Sequence, residues 1–272
     1  MISLAEINLA AEKFHVSAEV IEKDYVITWI LCCLTRSRLK NDFIFYGGTA
    51  IKRIYFENYR FSEDIDLWSA STYTQEYIIQ ELKILNYAKE EAGLSLELQL
   101  EKSIVASHRL QLFISYDGYE EIIGAPKEIR MDFVIGMDKF GNFINKKIIP
   151  SYSDVKTQEN TLSVMTLNTI LANKLGLIVD STRNEPRDLF DIWYLLWRTK
   201  KFNFSFQKVC DVFKDKYGFQ PTLNILLAHL KNRSLEKSWN IRLKKQMAKL
   251  PPIEIVIKDV EMMLKKLFKD RL

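Results

Sequence analysis

The run Phe43-Ile44-Phe45-Tyr46-Gly47-Gly48-Thr49-Ala50, followed by Arg60-Phe61-Ser62-Glu63-Asp64-Ile65-Asp66-Leu67-Trp68, decides how the chain is read. Phe43–Tyr46 is short, aromatic and continuously apolar, as a buried strand requires. It breaks at Gly47-Gly48, and Thr49–Phe56 resumes with helical spacing. Two glycines let the backbone approach a ligand closely, and a helix start offers free N–H groups to phosphate. Thr49 is placed to cap that helix or to give its hydroxyl to a phosphate oxygen. No Gly-Lys-Ser/Thr follows, so the turn is not a Walker A loop.

Asp64–Trp68 alternates polar and apolar residues, the mark of a half-buried strand. Residues two apart on a strand share a face, so Asp64 and Asp66 project together while Ile65 and Leu67 turn to the core. Two anions held so close repel unless a cation stands between them. Mg²⁺ suits that place, being a hard ion that takes carboxylate and phosphate oxygens. A solvated strand edge is the plainer account of an isolated Asp-x-Asp. Asp132 supplies a third carboxylate in the strand-like Ile129–Ile135, opposite Met131, Phe133 and Ile135. A lone Asp buried mid-strand is costly without a partner. Three carboxylates on adjacent strands are the scaffold of a two-metal phosphoryl-transfer site.

Outward from this centre, the first forty residues read as two helices, one opened by Ser3 with Glu6 as a capping box and one by Ser17. Tyr73–Ala92 follows the helical period and meets Gly93 where a C-cap glycine belongs, and Leu94–Leu100 and Leu110–Tyr116 read as further strands. After Pro150 a polar connection, Ser151–Asn160, leads to segments of helical period: Leu162–Val179, Arg187–Trp197, Phe204–Tyr217, Pro221–Leu230, Leu235–Leu250 and Ile253–Phe268. The fold class expected is α+β. A mixed-sheet domain with flanking helices over residues 1–155 precedes an all-helical domain over residues 156–272.

Composition narrows the classes of function. The chain has 272 residues, 47% apolar and 27% charged, so it is long enough for a large core. Three cysteines without a CxxC pair, and three isolated histidines, exclude a disulfide scaffold and a zinc site. The N-terminal residues carry Glu6, Glu12 and Lys13 and do not read as a signal peptide. No apolar run approaches the ~20 residues of a membrane span. A cytoplasmic, non-membrane protein is expected. Residues 1–150 hold 17 Lys/Arg against 22 Asp/Glu, a net of −5; residues 151–272 hold 22 against 13, a net of +9. An acidic half joined to a basic half suits a metal lobe beside a polyanion-holding lobe. Lys231, Arg233, Lys237, Arg242, Lys244, Lys245 and Lys249 crowd around Trp239 near the C-terminus. That stripe is a candidate RNA-holding surface, with Trp239 available to stack a base.

Gly47-Gly48-Thr49-Ala50 with Arg60–Leu67 resembles the nucleotidyltransferase superfamily of the DNA polymerase β type, and more narrowly the AbiEii/AbiGii toxin family. Four further segments agree: Glu22-Lys23-Asp24-Tyr25, the strand holding Asp132, Leu171–Leu175 with Lys174, and Pro186-Arg187-Asp188-Leu189-Phe190-Asp191. The resemblance implies transfer of a nucleoside monophosphate from an NTP with two Mg²⁺ ions, pyrophosphate being released. It also implies an RNA acceptor, tRNA among the candidates, and a cognate antitoxin as partner. On this reading Asp64, Asp66 and Asp132 hold the metal. With Lys174, Asp188 and Asp191 they form the catalytic set. Gly47, Gly48, Thr49, Arg60, Ser62, Lys174 and Arg187 contact the nucleotide. Lys23 and Asp24 fit a structural tie between the N-terminal helix and the sheet domain, and Lys52 and Arg53 fit a helix surface from which either could reach phosphate. Transfer to a small molecule or protein hydroxyl, or a non-catalytic nucleotide-binding module, is the alternative.

Overall fold

The computed structural model describes residues 1–123, 126–138, 141–155, 160–180, 183, 185–199, 202, 204–230 and 233–269. Residues 156–159 of the expected polar connection, Lys231, and the side chains of His229 and Arg233 lie outside them. The chain forms two compact units, one of Met1–Lys139 with Phe143–Val164, the other of Phe140–Asn142 with Met165–Leu272.

The first unit opens with α1 (Leu4–Phe14), capped by the Ser3 hydroxyl, which accepts from the Glu6 N–H at 3.2 Å. Helix α2 (Ala18–Leu34) is buried at almost every residue from Ile21 onward, Glu22 and Asp24 included. Its apolar second half, Tyr25–Leu34, lies within the core. A short α3 (Leu39–Asp42) precedes β1 (Ile44–Tyr46), and α4 (Gly47–Ala50) continues as a wider turn through Tyr55. Then come β2 (Asp64–Trp68), α5 (Gln75–Glu81), α6 (Asn86–Ala92), β3 (Leu96–Leu98), β4 (Ile104–Ala106), β5 (Arg109–Tyr116), β6 (Glu128–Val134), β7 (Phe143–Lys147) and β8 (Thr161–Met165). The strands make one mixed sheet in the order β3-β5-β6-β2-β1-β8-β7, with β4 also on β5. Strand β2 runs parallel to β6 and antiparallel to β1; β1 runs parallel to β8. One sheet face, including Phe45, Ile65, Leu67, Leu110, Leu112, Met131 and Phe133, is buried in the same core as α2.

The second unit is helical from α7 (Leu167–Val179) through α8 (Pro186–Trp197), α9 (Phe206–Tyr217), α10 (Leu223–Leu230), α11 (Arg233–Leu243) and α12 (Ile253–Lys269). Helix α7 packs on α8, α9 and α10, while α8 packs on α11 and α12. The α+β class and the order of sheet then helices follow the expectation.

Three local expectations are corrected. Leu162–Val179 is not one helix: residues 161–165 pair with β1, and Thr166 caps α7 by accepting from the Thr169 N–H at 3.3 Å. The alternating strand abuts an apolar helix, so the two read as one run. The expected helix over residues 73–92 breaks into α5 and α6 at a tight turn over Leu82–Leu85. Lys52 and Arg53 are buried, not on a helix surface. Lys52 lies over the rings of Phe14 and Phe61 and donates to the Glu57 carbonyl at 2.6 Å. Burial lowers its pKa to about 8.

Arg53 explains the Glu22–Tyr25 segment. Its guanidinium lies 3.3 Å from Asp24, whose carboxylate also accepts from Tyr152 Oη at 2.6 Å. Glu22, fully inside, accepts from the Tyr119 N–H at 2.7 Å and pairs with Lys127 at 3.1 Å. Tyr25 donates to Asp154 at 2.7 Å. These bonds tie α2 to three separate chain segments, the role expected of Asp24; Lys23 instead pairs with Glu19 of its own helix at 3.7 Å. Asp24→Asn leaves the Arg53 charge buried without its counter-ion and is expected to cost about 3–5 kcal/mol. Urea denaturation measures this, and an unchanged midpoint would show that the pair does not hold the helix.

Candidate active site

Parallel pairing puts Asp64 opposite Arg130 and Asp66 opposite Asp132. Partners in register point to the same face, so Asp64, Asp66, Arg130 and Asp132 all project from the side away from the apolar core. Neighbouring strands lie about 4.8 Å apart, which brings the backbones of Asp66 and Asp132 to that spacing. Strand β5 adds Gln111, in register with Asp132 and donating to its Oδ1 at 2.7 Å. Asp132 is buried, 5% exposed, whereas Asp64 and Asp66 are half-buried.

Arg130 stands among these acids. Its Nη2 donates to Asp64 Oδ2 at 2.6 Å, and its Nε lies 3.0 Å from Asp132 Oδ2 as an ion pair. Burial works against its charge, but Asp64, Asp132 and Asp66 outweigh that and raise its pKa above the ordinary arginine value. Among the described residues, no three Asp, Glu, His or Cys side chains already converge as a ready-made metal cluster. The donors nevertheless fit a hard cation: carboxylate oxygens on one face, with the Arg130 guanidinium set against one oxygen each of Asp64 and Asp132. Sequence reasoning missed Arg130 and Gln111. Arg130 was within reach of it, because a residue two before Asp132 must share its face.

The glycine turn sits directly over the second acid. Gly47 has φ +82°, and a Cβ there would overlap Asp66 Oδ2. A Cβ on Gly48 would stand 2.9 Å from the Arg60 guanidinium and 3.0 Å from Ser62 Oγ. Arg60, 4% exposed, also donates to the Phe61 carbonyl at 3.2 Å. The Thr49 hydroxyl is turned inward, donating to the carbonyl of Asp64. It therefore clamps the turn to β2 instead of facing outward. Gly47, Gly48, Thr49, Arg60 and Ser62 are thus gathered around the start of β2 and the acids it carries.

The second unit holds its own charged cluster. Lys174 Nζ on α7 lies 2.6 Å from Asp188 Oδ1 and 2.7 Å from Asp191 Oδ2, both on α8. Arg183 Nε reaches Asp188 Oδ2 at 2.7 Å. Asp188 and Asp191 are buried, so they do not form a solvated stripe, and Lys174 does not run out to water. Arg187 pairs with Glu185 at 3.2 Å. Beside this cluster Lys216 of α9 donates to Asn173 Oδ1, and burial lowers its pKa to about 8. Nothing in the sequence set Lys216 apart from the other lysines of its helix.

Trp239 does not present a face for stacking. It is buried, donating Nε1–H to the Pro251 carbonyl at 2.9 Å. Of the basic stripe, Lys237, Arg242, Lys244, Lys245 and Lys249 are exposed.

The family model described as "Nucleotidyl transferase AbiEii toxin, Type IV TA system" matches residues 29–266. Among solved structures, the chain is similar to MenT4, a nucleotidyltransferase toxin from Mycobacterium tuberculosis H37Rv. The TM-score is 0.66 at 15% identity, covering 98% of this chain and 90% of that one, a likeness of fold. The search of curated proteins gave no match.

Two substitutions test this geometry. Gly47→Ala forces a side chain into a left-handed backbone, at about 1–2 kcal/mol, and also displaces Asp66. Thermal unfolding should show the loss, and a fully stable variant would mean the turn is not as described. For Asp188, burial pushes the carboxyl up, but Lys174 and then Arg183 outweigh it and hold its pKa below the ordinary 3.8. A depressed folded pKa contributes stability above the unfolded value, and that contribution disappears as pH falls through the folded one. Asp188→Asn should therefore be less stable than the parent at neutral pH, Lys174 keeping Asp191 as its remaining partner. Its gap to the parent protein should close as pH falls below 3.8; a gap constant across that range contradicts the pairing.

Proposed function

Because the chain belongs to the AbiEii family of nucleotidyltransferase toxins from type IV toxin–antitoxin systems, we propose that it transfers a nucleoside monophosphate from an NTP to RNA, with Asp64, Asp66 and Asp132 as metal ligands. The observation that carries this reading is the register of β2 on β6. It sets Asp66 beside Asp132 with Asp64 two residues away on the same face, under the Gly47 turn.

Two Mg²⁺ ions, when bound, would polarise the α-phosphate and neutralise the charge that develops on the leaving pyrophosphate. The chain's own residues do the rest. Asp64 and Asp66 supply oxygens from one strand, and Asp132, oriented by Gln111, supplies another and accepts the proton of the attacking hydroxyl. Gly47 and Gly48, lacking side chains, let the turn close onto Asp66, Arg60 and Ser62, which brings the backbone of a phosphate-binding turn beside the acids. Arg60 and Ser62, packed on Gly48, add donors on the same side. In the second unit Lys174 is the phosphate-binding cation, oriented by Asp188 and Asp191, with Arg187 as a further cationic contact. An RNA acceptor, tRNA included, is favoured by the exposed Lys237, Arg242, Lys244, Lys245 and Lys249. A cytoplasmic site of action, beside a cognate antitoxin, accords with this. Among the described residues no helix is long and apolar enough to cross a membrane.

Asp66→Ala is expected to lower incorporation from a labelled NTP into total RNA by at least about a hundredfold, the scale of losing a principal electrostatic contact. Circular dichroism should remain that of the parent protein. Undiminished labelling by the variant removes the mechanism, and label found in protein or small molecules instead of RNA redirects the acceptor assignment.

A further inference from the structure

Arg130 and a divalent cation make the same demand on the site. The guanidinium donates to Oδ2 of Asp64 and lies as an ion pair against Oδ2 of Asp132, two oxygens that a hard cation bound by both acids would share with it. Two cations at one position also repel each other. Arg130 therefore opposes a metal held by both acids for as long as it stays between them. It has room to withdraw, because its side chain is 39% exposed while that of Asp132 is 7% exposed. Asp132 does not lose its orientation when Arg130 leaves, since its other oxygen, Oδ1, accepts from Gln111 at 2.7 Å. The planar fork of an arginine matches phosphate oxygens as well as it matches carboxylates.

We propose that Arg130 is a positioning residue that couples metal binding to nucleotide binding: it holds Asp64 and Asp132 together until a triphosphate draws it away and frees their oxygens for the cation. The inference rests on the metal-ligand reading given above and goes beyond it, because it makes the order of loading a property of one side chain. Without a countercharge the three carboxylates repel, so Arg130 keeps the face assembled before substrate arrives. The triphosphate brings negative charge of its own and exchanges one partner of Arg130 for another.

The test is Mn²⁺ binding to the full chain by titration calorimetry, with and without a non-hydrolysable NTP analogue. In the parent protein the analogue should tighten Mn²⁺ binding about tenfold or more, a typical coupling between linked sites. In Arg130→Gln, Mn²⁺ without analogue should bind about tenfold tighter than in the parent, and the coupling should fall toward unity. Arg130→Lys keeps the charge but cannot bridge both acids as a fork does. It should move in the same direction by less, which preserves the test if the Gln variant does not fold. Mn²⁺ affinity in both variants equal to or weaker than the parent's overturns the proposal while leaving the metal site standing. Asp66→Asn that binds Mn²⁺ as the parent does, under both conditions, overturns the metal site and this inference with it.

Discussion

Like charges on one face of a sheet have to be answered by opposite charge, and that constraint governs the centre of this molecule. The hydrogen-bonded pairing of β2 with β6 fixes Asp66 beside Asp132 and Asp64 beside Arg130. The opposite face of the same strands carries Ile65, Leu67, Met131 and Phe133 into the core. A slip of one residue in either strand would exchange the two faces, burying carboxylates and exposing the apolar set. The register is thus held by hydrophobic burial on one side, and the acids on the other side are a consequence of it. Arg130 and Gln111 then make that acidic face tolerable. The Gly47 turn, pinned by the Thr49 hydroxyl to the Asp64 carbonyl, completes it.

Charges buried elsewhere are paired in the same way but serve the scaffold. Asp24 with Arg53, and Glu22 with Lys127, bind α2 to the elements around it. Lys174 between Asp188 and Asp191 joins α7 to α8. Buried pairs of this kind add little net stability over apolar residues, yet losing one partner is expensive. Their value lies in fixing a geometry. For Lys174 the fixed geometry is that of an amino group held between two carboxylates of α8.

The chain belongs to a nucleotidyltransferase toxin family, and its fold is similar to that of MenT4. The acidic face belongs to the first unit, and the exposed Lys237, Lys244, Lys245 and Lys249 belong to the second. Trp239 has no part in that surface, because its indole is used to close the packing around α11. A tryptophan amid lysines reads equally well as a stacking platform or as a core anchor, and only the packing tells them apart.

The sequence by itself determined the strand, turn and helix around Gly47-Gly48, the shared face of Asp64 and Asp66, the place of Asp132 opposite an apolar set, and the passage from sheet to helices. All of these follow from local periodicity and from the backbone needs of glycine, which are written within a few neighbouring residues. Only the tertiary structure decided that β2 lies on β6, that Arg130 takes the acids as partners, that Lys52 and Arg53 are interior, and that residues 161–165 join the sheet. Those depend on which segments distant in the chain come to lie side by side. Local pattern gives the direction of a side chain but not the identity of what it meets, and electrostatic partners are chosen by that meeting.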